Sequence, residues 1–143
     1  METCGFAKTE VLAEVAQYVD LFLFDYKETD SQKHKTFTGV DNALILQNLR
    51  FLNDIGKPIV LRCPIIPTYN DTEEHFAGIG ALASEMKNVL HIEIEPYHSL
   101  GIHKYGQLDR AGDTEEFPIP TEMQISDWLA RIRAYTNIEV RLA

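Results

Sequence analysis

The fold is decided by the stretch Asp20-Leu-Phe-Leu-Phe-Asp25-Tyr-Lys27, a short apolar run of strand type over residues 20–24 that ends in two charged residues. Side chains alternate between the two faces of a strand. One face carries Phe22, Phe24 and Tyr26, and the other carries Leu21, Leu23, Asp25 and Lys27. The aromatic face is expected to pack against helices. The opposite face then brings Asp25 and Lys27 together at the carboxyl end of the strand.

Helical and strand patterns alternate on both sides of this stretch. A helical stripe precedes it over residues 9–18, and a second helix is predicted over 41–55, with Asp41 as N-cap and Gly56 as the stop. A third helix is predicted over 71–86, where Asp71 and Glu74 form a capping pair. A fourth is predicted over about 121–135 and begins with a Thr121–Gln124 capping box. Further strands are predicted over 58–63, 89–95 and 138–142, and the region 96–120 is predicted to be mainly loop. This alternation is typical of βαβ units and a parallel sheet.

The chain is too short to close a barrel, because an eight-unit βα barrel takes about 250 residues. Its 143 residues supply about four strands and four helices. The predicted fold class is therefore α/β, with an open parallel sheet or a partial βα barrel formed by a single domain over residues 1–143.

Composition excludes several classes of protein. The chain has 45% hydrophobic residues, 24% charged residues and a net charge of −9. The negative charge argues against a nucleic-acid partner, and no apolar run approaches the ~20 residues that span a membrane. Two distant cysteines, Cys4 and Cys63, are too few for a disulfide framework. We therefore expect a protein of the reducing cytoplasm.

The sheet face away from the helices carries charges where a strand buried on both faces would be apolar. These residues are Asp25, Lys27, Arg62, Glu93 and Glu95, and His98 follows the third of these strands. Active sites of parallel α/β folds lie at the carboxyl ends of the strands. Charges of both signs at that edge predict a site for a polar, zwitterionic ligand.

Two less specific interpretations remain open for these residues. The charges could be solvated or paired with one another on an open sheet face, and Glu93 and Glu95 could lie on an edge strand that faces water. Cys63 is expected to be a small buried residue. No role is assigned to the histidines at positions 34, 75, 91 and 103.

The order of motifs along residues 2 to about 110 resembles one known family. The matching segments are Glu2-Thr3-Cys4-Gly5, Asp20 to Lys27, Asp30 with His34, Thr38-Gly39-Val40 with Asn42, Gly56-Lys-Pro-Ile, Leu61-Arg62, Pro64 to Pro67 with Asn70-Asp71, Glu95-Pro96-Tyr97-His98, Leu100-Gly101 and Lys104-Tyr105. In this order and spacing the chain is similar to the radical S-adenosylmethionine (SAM) enzymes that activate glycyl radical enzymes, and above all to pyruvate formate-lyase activating enzymes.

The resemblance implies a fold, a cofactor and site residues. Members are partial TIM-like barrels that bind SAM beside a [4Fe-4S] cluster, and the resulting 5′-deoxyadenosyl radical takes a hydrogen atom from a glycine of the partner enzyme. By resemblance, Asp25 and Lys27 meet the ribose and carboxylate of SAM, and His98 lines the same cofactor. Arg62 matches an arginine of this face near the glycyl substrate. The residues Glu2, Thr3 and Asp25, with the carbonyl of Leu23, match a monovalent-cation site.

The chain also departs from the family pattern. The CxxxCxxC cluster loop and the Gly-Gly-Glu turn are absent, so the chain resembles the C-terminal half of the barrel. Thr68 stands where the family often has glycine, and Glu2 where aspartate is frequent. The resemblance therefore implies part of an activating enzyme that acts on a partner such as pyruvate formate-lyase. By itself, the chain is expected to be inactive and to bind SAM weakly.

Two other functions fit the residues. Lys27 at a strand end could form a Schiff base in an aldolase-like lyase. Alternatively, the open sheet edges could make the chain a binding module, or drive self-association by strand pairing.

Overall fold

A computed structural model describes residues 1–99 and 117–143. These residues form one parallel sheet of five strands in the order β1-β2-β3-β4-β5. The strands are β1 Glu2–Thr3, β2 Phe22–Asp25, β3 Ile59–Ile65, β4 Val89–Pro96 and β5 Val140–Leu142. The helices are α1 Thr9–Ala16, α2 Ser31–Thr38, α3 Ala43–Asp54, α4 Glu73–Ser84 and α5 Glu122–Arg133. Because β1 and β5 lie at opposite edges, the sheet is open, as the sequence predicts.

The described residues contain one strand and one helix more than the sequence predicts. β1 has two residues, too few to give a periodic signal. α2 is mostly polar and buries only His34, so it lacks an apolar stripe. Its ends are defined locally: the Asp30 carboxylate accepts a hydrogen bond from the Lys33 backbone N–H at 2.7 Å, and Gly39 adopts a left-handed φ of 85°.

The core lies on the helix-covered side of the sheet and confirms the predicted sorting of the strand faces. Phe22 and Phe24 are fully buried, whereas Leu23 and Asp25 on the other face are partly exposed. In β3, Cys63 is fully buried in this core, as expected of a small buried residue. The alternation leaves one sheet face packed and the other available for polar side chains.

Helix caps were predicted with mixed success. The Thr121–Gln124 capping box of α5 is confirmed. The prediction for α4 is wrong by one residue: Thr72 caps the helix, while Asp71 accepts a hydrogen bond from the Thr68 N–H at 2.7 Å. At α3 the N-cap position is Asn42 rather than Asp41, although the Asp41 carboxylate still accepts from the Ala43 N–H at 3.0 Å. Gly56 follows α3 with φ 76°, which confirms the predicted stop.

Most of the predicted loop over 96–120 falls at residues 100–116, outside the described residues, and so does His103. Within the described part of the chain, no helix has the length and apolar character needed to cross a bilayer.

Thr68 is the one described non-glycine residue with positive φ, at 69°. A left-handed backbone is strained for a β-branched side chain, by about 1–2 kcal/mol. We therefore expect Thr68→Gly to raise the free energy of unfolding by about 1 kcal/mol, measured by urea denaturation. Thr36→Gly, within α2, serves as the control and should lower it by a similar amount. Destabilisation by Thr68→Gly would contradict the strain.

Candidate functional site

Charged residues of the open sheet face stand in register across four strands. Asp25, the last residue of β2, pairs with Arg62 of β3, and Arg62 pairs with Glu93 of β4. Glu93 in turn pairs with Arg141 of β5. Of the predicted polar positions, Asp25, Arg62 and Glu93 therefore form one continuous row on the sheet, which Arg141 extends. Glu95 pairs with Pro64 further along β3, and Lys27 lies beyond the end of β2.

Arg62 is held between two carboxylates. Its Nη1 lies 2.8 Å from Glu2 Oε2, and its Nε donates to Glu95 Oε1 at 2.6 Å. Its side chain is only 17% exposed, so these are not simple surface pairs. The contact with Glu2 reaches from β3 across β2 to β1. Arg62 thus ties three strands together beside Asp25.

Asp25 and Lys27 form an ion pair at the end of β2, with Asp25 Oδ2 and Lys27 Nζ 3.7 Å apart. Burial raises the pKa of Asp25, and the positive charges of Lys27 and Arg62 offset part of that effect. Its other oxygen, Oδ1, is buried without a hydrogen-bond partner among the described residues. A buried, unpartnered carboxylate oxygen is an available acceptor for a hydroxyl group or a cation.

Asn70 fixes the backbone at Lys27, a role that the sequence analysis did not identify. The Asn70 side chain is buried, and its Nδ2 donates to the carbonyls of Lys27 at 2.9 Å and Pro64 at 2.8 Å. Its Oδ1 accepts from the Ile66 N–H at 2.7 Å. These bonds lock the chain that leaves β2 against the loop that leaves β3.

Glu93 belongs to a separate, satisfied cluster. Arg141 Nη2 donates to Glu93 Oε1 at 2.8 Å, and His91 Nε2 lies 3.1 Å from the same oxygen. The hydrogen bond from Arg141 holds the pKa of Glu93 below its usual range. The interpretation of β4 as an edge strand is wrong, because β5 pairs with it. Glu93 is therefore an ion-paired residue of the sheet face.

His98 follows β4 by two residues, and its side chain is exposed. β3 lies between β4 and the strand that carries Asp25. Neighbouring strands are ~4.8 Å apart, and β4 ends at Pro96, three residues or ~10 Å beyond Glu93, which is level with Asp25. The ends of β2 and β4 are therefore separated by about 14 Å. A ligand that meets both Asp25 and His98 must span that distance.

The residues matched to a cation site converge at the edge of the sheet. Glu2 and Thr3 pair in register with Leu23 and Phe24, which places them beside the end of β2. The charge of Glu2 also contributes to raising the pKa of Asp25. Oxygen ligands are available here, although Glu2 already shares one oxygen with Arg62.

An iron–sulfur cluster does not fit the described residues. Cys63 is buried in the core, Cys4 is partly buried, and neither forms a disulfide. No group of three or more His, Cys, Asp or Glu side chains within residues 1–99 and 117–143 is placed to hold a metal ion. Cluster ligands would have to come from elsewhere.

The Schiff-base alternative gains no support from the geometry. Catalytic lysines of that kind are desolvated or lie beside another cation. The Lys27 side chain is instead 42% exposed and paired with the carboxylate of Asp25.

Solved structures of other proteins share the fold of this chain. The chain superimposes with a TM-score of 0.79 on a domain of pyruvate-formate lyase-activating enzyme from Bacteroides vulgatus, at 24% identity, covering 99% of this chain and 78% of that one. It also matches a radical SAM methyltransferase from Sphaerobacter thermophilus, with a TM-score of 0.68, 14% identity, and coverage of 99% of this chain and 39% of that one. At these identities the likeness establishes the fold alone.

Curated relatives of known sequence indicate the class of protein. The chain is 41% identical to the choline trimethylamine-lyase activating enzyme of Oleidesulfovibrio alaskensis, over 89% of this chain and 40% of the relative. It is 33% identical to the trans-4-hydroxy-L-proline dehydratase activating enzyme of Clostridioides difficile, over 99% of this chain and 47% of the relative. The chain is 35% identical to the pyruvate formate-lyase-activating enzyme of Staphylococcus aureus, over 76% of this chain and 43% of the relative.

This chain is thus a homologue of the activating enzymes of glycyl radical enzymes, which confirms the resemblance seen in the sequence. It spans less than half the length of these curated relatives. No protein-family model matches the chain.

Proposed function

We propose that this chain is the SAM-binding, C-terminal part of an activating enzyme that generates a glycyl radical on a partner enzyme. The observation that carries the proposal is the Asp25–Lys27 pair at the carboxyl end of β2, where Asp25 Oδ1 is buried without a partner among the described residues. Carboxyl ends of parallel strands are where such folds bind their ligands.

The two residues offer complementary groups to the two ends of SAM. The Lys27 ammonium can form a charge-assisted hydrogen bond with the methionyl carboxylate. Asp25 Oδ1 can accept from ribose hydroxyl groups, which gives the buried oxygen the partner that it lacks. His98 is exposed beyond β4 and would line the far end of the same ligand.

A monovalent cation is the second ligand that we infer here. Glu2, Thr3 and Asp25, with the carbonyl of Leu23, would supply its oxygen ligands beside the methionyl carboxylate. Arg62, fixed by Glu2 and Glu95, would face the glycine-bearing segment of the partner. In this arrangement Arg62 sets the position of Glu2, because both share one hydrogen bond.

A reduced [4Fe-4S] cluster would supply the electron for radical chemistry on SAM that ends in loss of a hydrogen atom from a glycine of the partner, and Asp25 and Lys27 would hold SAM for it. The described residues offer no ligand set for that cluster. We infer that this chain alone is inactive and that its role is to hold SAM and face the partner, a glycyl radical enzyme such as pyruvate formate-lyase.

Cellular setting and assembly complete the proposal. Two unpaired cysteines suit a reducing cytoplasm. The edges β1 and β5 can pair with further strands, so self-association of the chain alone is expected.

The role of Lys27 can be tested with SAM and decarboxylated SAM, which lacks the carboxylate. We expect the chain to bind SAM more tightly than decarboxylated SAM. Lys27→Met should lower the affinity for SAM about tenfold, equivalent to about 1.4 kcal/mol, and leave the affinity for decarboxylated SAM unchanged. Isothermal titration calorimetry measures both. Lys87→Met, at an exposed position, is the matched control. Equal losses for the two ligands would contradict a carboxylate contact at Lys27.

A further inference from the structure

A cavity of about 660 Å³ lies near the ends of β2 and β3, on a side of the molecule bordered by α2. Three aromatic residues line it in a row. The ring centroids of Phe37 and Tyr69 are 5.1 Å apart, and those of Tyr69 and Phe117 are 4.6 Å apart. The remaining lining residues include Lys27, Glu28 and Asn70. The walls are thus largely apolar, and Lys27 and Glu28 are the charged residues among those that line them.

Glu28 is the acidic residue that lines this cavity. The residue is only 1% exposed. Its Oε1 accepts a hydrogen bond from the Asp30 N–H at 3.0 Å, whereas Oε2 is buried without a partner in the described part of the chain. Buried polar atoms in native proteins are almost always bonded, so a missing partner indicates an absent ligand or water.

The nearby basic side chains do not supply that partner. His75 Nδ1 lies 3.8 Å from Glu28 Oε1, but this nitrogen accepts from the Thr29 N–H at 3.1 Å and so presents a lone pair. Lys27 lines the cavity, and its ammonium is paired with Asp25 at 3.7 Å. Lys33 is paired with Glu74 at 3.3 Å. The carboxylate of Glu28 therefore lacks a counter-ion among the described residues.

We propose that this cavity binds an organic cation, a guanidinium or alkylammonium group, with its charge against Glu28 and its alkyl chain among the rings of Phe37, Tyr69 and Phe117. Cations are attracted to aromatic faces, and a guanidinium forms strong charge-assisted bonds with a carboxylate. The chain's net charge of −9 also favours a cationic ligand. The site goes beyond the proposed function, because its charge lies against Glu28 rather than Asp25, although Lys27 borders both sites.

Three probes separate the sources of such a cation. Agmatine represents a free small molecule, the peptide Ac-Gly-Arg-Gly-amide represents a polypeptide side chain, and the same peptide with citrulline is its neutral counterpart. Titration calorimetry with the full chain should detect saturable binding of at least one cationic probe and none of the citrulline peptide. Tighter binding of the peptide than of agmatine would identify a polypeptide ligand, and the reverse a small molecule.

Glu28→Gln tests the charge, because glutamine keeps an oxygen for the Asp30 N–H. We expect at least tenfold weaker binding of the cationic probe, with Glu10→Gln, at an exposed position of α1, unchanged. Phe37→Leu tests the aromatic wall at a residue that is 42% exposed, and it should weaken binding several-fold. Phe6→Leu, at a residue that is 51% exposed and does not line the cavity, is the control and should leave binding unchanged.

Three results would overturn the proposal. These are no binding of either cationic probe, equal binding of the citrulline peptide, or unchanged affinity in a folded Glu28→Gln variant. Competition between SAM and the cationic probe would refute a separate site.

Discussion

Acidification from pH 6.5 towards pH 3 is expected to destabilise this protein through His75. Burial lowers the pKa of His75 from its ordinary 6.5 to about 3, with a smaller contribution from Lys33. Between these values the unfolded chain binds a proton at this residue and the folded chain does not. Stability therefore falls as the pH falls, by about 1.4 kcal/mol per pH unit from this one group.

The contribution of His75 is measured by comparison with a variant that cannot titrate. In His75→Asn the side-chain oxygen can replace Nδ1 as acceptor for the Thr29 N–H. Urea denaturation at several pH values should show a shallower pH dependence in the variant between pH 3 and 6.5. The exposed His98→Asn should retain the parental slope. Identical slopes for His75→Asn and the parent would show that His75 titrates alike in both states.

Loss of the Asn70 side chain is expected to damage both stability and cofactor binding. Asn70→Ala removes three hydrogen bonds and leaves the Lys27 and Pro64 carbonyls and the Ile66 N–H without their partner. Each unsatisfied buried group costs ~1–3 kcal/mol, so we expect a loss of about 3 kcal/mol in the free energy of unfolding. Since the Lys27 backbone is then unanchored, SAM affinity should also fall several-fold.

Two variants make the Asn70 prediction specific. Asn70→Asp keeps the acceptor for the Ile66 N–H but removes both N–H donors. Its loss of stability should therefore resemble that of Asn70→Ala. Asn137→Ala, at an exposed position, should change stability by less than about 0.5 kcal/mol. If Asn70→Asp were as stable as the parent in urea denaturation, the hydrogen bonds to the Lys27 and Pro64 carbonyls would not contribute to the free energy of unfolding.

Local sequence patterns predicted most of the sheet and the polarity of its faces. Side chains alternate with a period of two along a strand, so the sequence alone assigns Phe22 and Phe24 to the face opposite Asp25. Both phenylalanines are fully buried in the structure. Helix α2 lacks an apolar stripe, and the caps at Asp30 and Gly39 are its remaining local signals. The α4 cap was misplaced by one residue, because Asp71 and Thr72 are both good N-cap residues.

Contacts between distant parts of the chain could not be predicted in the same way. Asn70 reaches Lys27 across 43 residues, and the pairing of Glu2 with Arg62 depends on β1 lying next to β2. The missing partner of Glu28 Oε2 depends on the packing of loops around it. Sequence patterns place charges at the end of a strand, but strand order and loop packing decide which of them meet.

The proposed function depends most on SAM binding at Asp25. Equilibrium dialysis with radiolabelled SAM should show saturable binding by the parent chain and at least tenfold weaker binding by Asp25→Asn, which keeps the shape of the side chain but removes its charge. Asp54→Asn, in the last turn of α3, is the control and should bind as the parent does. Absence of SAM binding by the parent, or equal affinity in Asp25→Asn, would contradict the proposed function.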